Sequence, residues 1–243
     1  MAIREEEVTY SAGDTTLKGF LALPEGAGPH PAVIVVHEFW GLNEYPKSRA
    51  RQMAELGYVG FAIDMYGDGQ TADDPGAATE LMMAVLGNIQ AGEARFQAAL
   101  DFVNARPEVE SGAVAATGYC FGGAIVLHEA KVGADLRAVA SFHGSLGSMH
   151  APAPGQVKAK VLVCHGGADS LIPEEDIANF KKELDAAGAD YDFRSYEGAL
   201  HGFSNPGADE KAASFGMPLG YDKATDEASF AAARELFAQV FGR

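Results

Sequence analysis

Ala113-Val-Ala-Ala-Thr-Gly-Tyr-Cys-Phe-Gly-Gly123 runs from a strand of small residues, Ala113–Thr117, through a Gly-rich turn and into the helical stretch Ala124–Lys131. Gly118-Tyr119-Cys120-Phe121-Gly122-Gly123 has the G-x-S-x-G spacing of a nucleophile elbow, with cysteine where serine is usual. A strand that turns this tightly into a helix leaves little room beside the turn residue, which accounts for glycine at 118, 122 and 123. The geometry exposes the sulfur at a helix N-terminus, where the dipole favours an anion. The N–H of Phe121 then becomes a candidate oxyanion donor. The competing reading is a small buried cysteine in a Gly-rich turn.

Working outward, strand and helix patterns alternate. Arg4–Tyr10 and Thr16–Leu23 flank Gly13 and Asp14 as a hairpin. Ala32–His37 is an apolar run suited to a central strand, Pro46–Leu56 reads helical, and Val59–Ile63 is the next strand. Ala77–Ala105 is helical, with breaks expected at Gly87 and Gly92. Arg137–Phe142, Lys160–His165 and Tyr191–Tyr196 read as strands. Glu174–Ala187 and the stretch bearing Phe230, Ala233, Phe237 and Val240 read as helices, and Pro206–Tyr221 as an extended loop. This alternation predicts one α/β domain over residues 1–243, with a mainly parallel sheet of about eight strands and helices on both faces. Ligands of such sheets bind beyond the carboxyl ends of the strands.

Two further side chains fall at those ends, in chain order after the cysteine. Asp169 follows strand Lys160–His165 in Gly166-Gly167-Ala168-Asp169, and His201 follows the last strand in Leu200-His201-Gly202-Phe203. An imidazole there can take the thiol proton while a carboxylate fixes its tautomer. Asp169 is equally suited to capping a turn. His37-Glu38-Phe39-Trp40-Gly41 follows the first central strand, where this arrangement places its second oxyanion donor, the N–H of Phe39. Glu38 reads either as a turn residue or as a second proton acceptor for the thiol. His143 and His165 also follow strands; they read either as pocket-lining residues or as partners of backbone groups, and the second role is the one expected of them. Cys164 sits in an apolar strand and reads as core.

Composition narrows the function. A net charge of −16 disfavours nucleic acid and anionic membrane surfaces. No stretch is long and apolar enough for a membrane span, and Met1–Glu7 has no apolar core of a signal peptide, so cytoplasmic residence is expected. Two cysteines in unlike contexts give neither a disulfide framework nor metal-ligand spacing.

Taken together, His37-Glu38-Phe39-Trp40-Gly41, Asp64-Met65-Tyr66-Gly67, the elbow, His165-Gly166-Gly167-Ala168-Asp169 and His201-Gly202-Phe203 resemble the dienelactone hydrolase family of α/β-hydrolases. The likeness runs from about Val8 to the C-terminal helix. It implies an α/β-hydrolase fold and a triad of Cys120, Asp169 and His201. It also implies that Glu38 helps turn thiol into thiolate, and that Phe39 and Phe121 are the oxyanion donors. No metal or organic cofactor is implied. The dienelactone-cleaving members hold their substrate's carboxylate with arginines, one soon after the histidine and one mid-chain. Here Gly202-Phe203-Ser204-Asn205 contains none, and no Lys or Arg lies between Arg51 and Arg95. Trp40, Tyr66, Met82 and Met83, with Tyr119 and Phe203, supply apolar pocket candidates instead. The expectation is a cysteine-dependent hydrolase of small, neutral esters or lactones, monomeric or a small homo-oligomer. Its rivals are cleavage of dienelactone itself, ligand binding without catalysis on the same fold, and thiol redox chemistry at Cys120.

Overall fold

The computed structural model describes residues 2–26 and 28–242; Met1, which opens the Met1–Glu7 stretch, lies outside them, as do Ala27 and Arg243. An eight-stranded, mostly parallel sheet is accompanied by seven helices among the described residues. Its strand order is β1-β2-β4-β3-β5-β6-β7-β8. The chain divides after Ala116 into two compact units.

In the first unit, β1 (Ile3–Ala12) and β2 (Thr15–Pro24) pair antiparallel around the Gly13-Asp14 turn, with Tyr10 opposite Leu17 and Ser11 opposite Thr16. β3 (His30–Val36) and β4 (Val59–Ile63) run parallel, Ala32 facing Val59 and Val36 facing Ile63. From Pro31 to Val36 every residue is buried, as a strand covered on both faces requires. α1 (Glu44–Glu55) packs on β2 and β4, and its first turn is capped by Asn43, which accepts from the Tyr45 N–H. α2 (Pro75–Leu86) and α3 (Ile89–Asn104) are capped by Asp74 and Asn88. Of the two glycines expected to break this region, only Gly87 does so. Gly92 lies inside α3, buried where an added Cβ would come 3.0 Å from Val85; it marks a close helix–helix approach.

β5 (Val109–Tyr119) ends in the second unit, where it leads into α4 (Phe121–Val132). There β6 (Ala138–Phe142), β7 (Lys160–Gly166) and β8 (Tyr191–Tyr196) pair in parallel, Phe142 beside Cys164 and Gly166 beside Tyr196. α4 covers β6, and α7 (Lys223–Phe241) lies against β6 and β7 through a face that includes Ala232, Ala233 and Phe237. α5 (Glu174–Ala187) ends at Gly188, whose left-handed φ of 66° suits a residue without a side chain. The expected loop Pro206–Tyr221 contains one further helix, α6 (Ala208–Phe215). Only one of its eight residues, Ala208, is buried, so no apolar stripe announces it. No described helix is long and apolar enough to cross a membrane.

Candidate active site

Cys120 occupies the turn between β5 and α4 with φ 54° and ψ −115°, a conformation that L-residues hold only where the surroundings dictate it. Those surroundings are backbone, with the Ser141 hydroxyl beside Gly123. A Cβ on Gly118 would overlap the Gly122 carbonyl, and one on Gly123 would sit 2.8 Å from the Gly144 Cα. The Cys120 side chain makes no capping bond to α4. The first N–H groups of that helix, Phe121's among them, therefore gain no acceptor from it. Cys120 is partly exposed, whereas Cys164 is fully buried. Burial pushes the Cys164 thiol up to about 12, and its sulfur lies 3.9 Å from the Tyr196 hydroxyl.

The second unit brings Cys120, Asp169 and His201 together. His201 Nδ1 lies 2.8 Å from Asp169 Oδ2, with both side chains nearly inaccessible. The imidazole also hydrogen-bonds Cys120; with Nδ1 turned to Asp169, Nε2 is the nitrogen left for that bond. Burial opposes a charge on this ring. The attraction of the Cys120 thiolate, with the bonds to Asp169 and Cys120, outweighs burial and raises His201 to about 10. Asp169 makes both contacts at once: Oδ1 accepts the Leu171 N–H at 2.9 Å, while Oδ2 lies 2.8 Å from the imidazole.

The loop bearing His201 is fixed from the C-terminal side. His201 bridges to Leu219, its carbonyl accepts the Gly220 N–H at 3.1 Å, and the Phe203 carbonyl accepts the Asp222 N–H at 3.0 Å. The Pro206–Tyr221 excursion, α6 included, thus returns to brace the histidine. Phe203 is fully buried against Tyr196, and Tyr119 stacks on Phe142 with centroids 4.9 Å apart.

Sequence reasoning assigned His143 to backbone satisfaction, and the backbone group concerned is the cysteine's own. The Cys120 N–H donates to His143 Nδ1 at 3.1 Å and to the Phe142 carbonyl at 3.0 Å, and His143 Nε2 lies 2.8 Å from Ser204 Oγ. A readable signal existed: Phe142-His143-Gly144 repeats the apolar-His-Gly ending of Cys164-His165-Gly166 one strand earlier. His165 itself is buried with Nδ1 unpartnered, and burial lowers its pKa.

The remaining candidates lie in the first unit, in the segments after β3 and β4. His37 is fully buried and neutral, burial pushing its pKa down to about 4. Its Nε2 accepts the Met65 N–H at 3.2 Å, so the proton sits on Nδ1 and is donated to the Glu38 carbonyl. Asp64 accepts from Tyr66, Gly67 and Gly69, each at 2.8 Å, and from Lys18 at 3.2 Å, which explains the carboxylate in Asp64-Met65-Tyr66-Gly67. The Tyr66 hydroxyl donates to the Phe39 carbonyl at 2.9 Å, and the Phe39 and Trp40 rings lie 4.3 Å apart. Glu38 is buried, 5% exposed. Among the described residues, no group of three or more His, Cys, Asp or Glu is placed to hold a metal ion.

Known proteins carry the same architecture. A solved structure of a dienelactone hydrolase-like, promiscuous phosphotriesterase from metagenomic libraries is 35% identical, covering 99% of this chain and 100% of its own with a TM-score of 0.90. A second, named m3DLH, is 37% identical over 99% and 100% of the two chains, TM-score 0.92. A Methylorubrum extorquens protein provisionally named carboxymethylenebutenolidase is 30% identical over 210 residues, 81% of this chain and 71% of that one. The family model described as "Dienelactone hydrolase family" matches residues 17–241, and the chain belongs to that family, whose members are carboxylic ester and lactone hydrolases.

Proposed function

We propose that this hydrolase cleaves small, neutral esters or lactones with Cys120 as nucleophile, through an acyl-enzyme. One observation carries the reading: an imidazole held by a buried carboxylate is hydrogen-bonded to a partly exposed cysteine on a strained elbow. The sulfur attacks the carbonyl carbon, forming the C–S bond as the carbonyl electrons move onto oxygen. That oxygen is held by the N–H of Phe121 and of Phe39. Collapse expels the alkoxide, which takes its proton from His201. Water, deprotonated by the same imidazole, then breaks the C–S bond and frees the acid. Asp169 holds the ring in the tautomer that turns Nε2 to the sulfur and stabilises the imidazolium.

Glu38 and Phe39 enter this reading through their motif after β3, Glu38 as a second acceptor for the thiol proton. Trp40, Tyr66, Tyr119 and Phe203 are assigned to the walls of the substrate site. The absence of arginine in 202–205 and between Arg51 and Arg95 is the basis for neutral substrates over dienelactone. Amides are excluded as good substrates, since an amine leaves less readily than the thiolate and the first step reverts. The protein acts in the cytoplasm in this reading.

Cys120→Ala and stoichiometric iodoacetamide should each abolish hydrolysis of a simple aryl ester. Turnover retained by the alanine variant refutes the proposal, and a folded wild-type protein that turns over no member of a broad ester and lactone panel favours ligand binding alone.

A further inference from the structure

Among the described residues, three that are not glycine have a positive φ: Asp68 at 52°, Cys120 at 54° and His143 at 40°. The last two are bonded to each other, Cys120 N–H to His143 Nδ1. Such conformations cost on the order of 1–3 kcal/mol each and persist where neighbouring structure over-determines them. A backbone N–H can only donate, so Nδ1 carries a lone pair and the ring proton sits on Nε2, from which it is donated to Ser204 Oγ. Ser204 belongs to the same segment as His201, three residues on. Two hydrogen bonds thus tie the nucleophile's backbone to the loop carrying the imidazole, by a route separate from the sulfur–imidazole bond. The His143 ring also meets His201 edge-on, centroids 5.2 Å apart, and meets Phe203 at 5.0 Å and 86°. His143 and Ser204 are both fully buried, so water does not compete for these bonds.

We propose that His143 is a positioning residue that sets the separation of Cys120 and His201, acting as a neutral ring with a fixed acceptor at Nδ1. It takes no part in proton transfer, because that lone pair is committed to the Cys120 N–H. The inference rests on Cys120 being the nucleophile. Packing alone would be served by any ring of similar size. Positioning requires an acceptor where Nδ1 lies. Asparagine can present Oδ1 there and tolerates positive φ, whereas phenylalanine supplies the ring without the acceptor.

The test compares His143→Asn, His143→Phe and Ser204→Ala in the full chain on an aryl ester. Each kcat is divided by the folded fraction, read from the amplitude of the cooperative thermal melt, so that misfolded molecules drop out. His143→Asn should stay within about threefold of wild type, while His143→Phe should lose about 10- to 100-fold in kcat with little change in KM. Ser204→Ala should lose about 3- to 10-fold, since the acceptor remains but its ring is less firmly held. Equal losses in the Asn and Phe variants, or a wild-type kcat per folded molecule in the Phe variant, overturn the proposal. Should His143→Phe not fold, Ser204→Ala decides: an unchanged kcat and pH profile overturn it. Turnover surviving in Cys120→Ala instead sinks the nucleophile reading itself, whereas a dead Cys120→Ala beside indifferent His143 variants removes only the positioning role.

Discussion

Gly118→Ala adds a single carbon at the tightest point of the elbow, and its effect can be worked out from backbone distances. The new Cβ would overlap the Gly122 carbonyl and lie 2.8 Å from the Gly123 nitrogen. These are main-chain atoms of the first turn of α4, so no rotamer change relieves them. Ordinary contact lies near 3.5 Å, so the Gly123 nitrogen must retreat by about 0.7 Å and the carbonyl by more. Cys120 lies between the two strained partners and must move with them. A displacement on the order of 1 Å at a reacting atom costs about 100-fold in rate, and overpacking of this kind about 1–3 kcal/mol in stability. For a chain of this size each kcal/mol lowers Tm by roughly 2–4 °C. The assay is kcat on an aryl ester beside a thermal melt and the alkylation rate of Cys120. Gly147→Ala serves as the control, because its Cβ would meet only Asp176 Oδ2 at 3.7 Å and Ser145 Oγ at 3.8 Å. That variant should change stability by less than about 0.5 kcal/mol. A Gly118→Ala enzyme with wild-type kcat and melting temperature would show that the elbow tolerates a side chain at this point, and the steric reasoning would be wrong.

The charge on His201 and the role of Glu38 give two further tests. His201 is raised from 6.5 to about 10, against the pull of burial, and the thiolate of Cys120 is the largest raising influence. Because the folded value exceeds the unfolded one, the stabilisation is complete below about pH 6.5 and disappears as pH rises through 10. Cys120→Ala should therefore lower the His201 pKa, followed by NMR of the imidazole, and flatten the fall in Tm across that interval; an unchanged titration contradicts the assignment. For Glu38, the Gln variant should move the pH at which iodoacetamide reacts with Cys120 upward by on the order of one unit, and a superimposable alkylation curve would leave Glu38 without a role in the proton's path.

Strand periodicity and the elbow spacing were enough to read the sheet, because both follow from local sterics: buried parallel strands must be apolar throughout, and the turn at Cys120 must be flanked by small residues. Glu174–Ala187, Val59–Ile63 and Tyr191–Tyr196 fall where the sequence places them. α6 was illegible because it buries only Ala208 and so carries no apolar stripe; its Asp209 accepts the Tyr221 N–H at 2.9 Å, a contact that no local pattern announces. Gly92 was misread because glycine both breaks helices and lets them approach, and only the neighbouring Val85 tells which. The importance of His143 was hidden for a related reason. The sequence places it at a strand end, but which backbone N–H it accepts depends on how β6 lies against the elbow.

Four histidines near strand ends of this chain share a side chain and differ in what their nitrogens face. His37 and His143 each accept a main-chain N–H, and a lone pair used in that way ties the ring to its neutral form. His165 is buried beside Phe193 with one nitrogen unpartnered, an environment that resists charge. His201 faces a carboxylate on one nitrogen and a thiol on the other, and it alone is held well above the ordinary imidazole value. Proton traffic therefore follows the neighbours of a ring, since a main-chain N–H excludes the proton that a carboxylate and a thiolate invite. The same contrast holds within one cluster, where the His143 and His201 rings lie 5.2 Å apart. If His143 were also charged, the two cations would repel across that distance and the Cys120 N–H would keep only the Phe142 carbonyl as its acceptor.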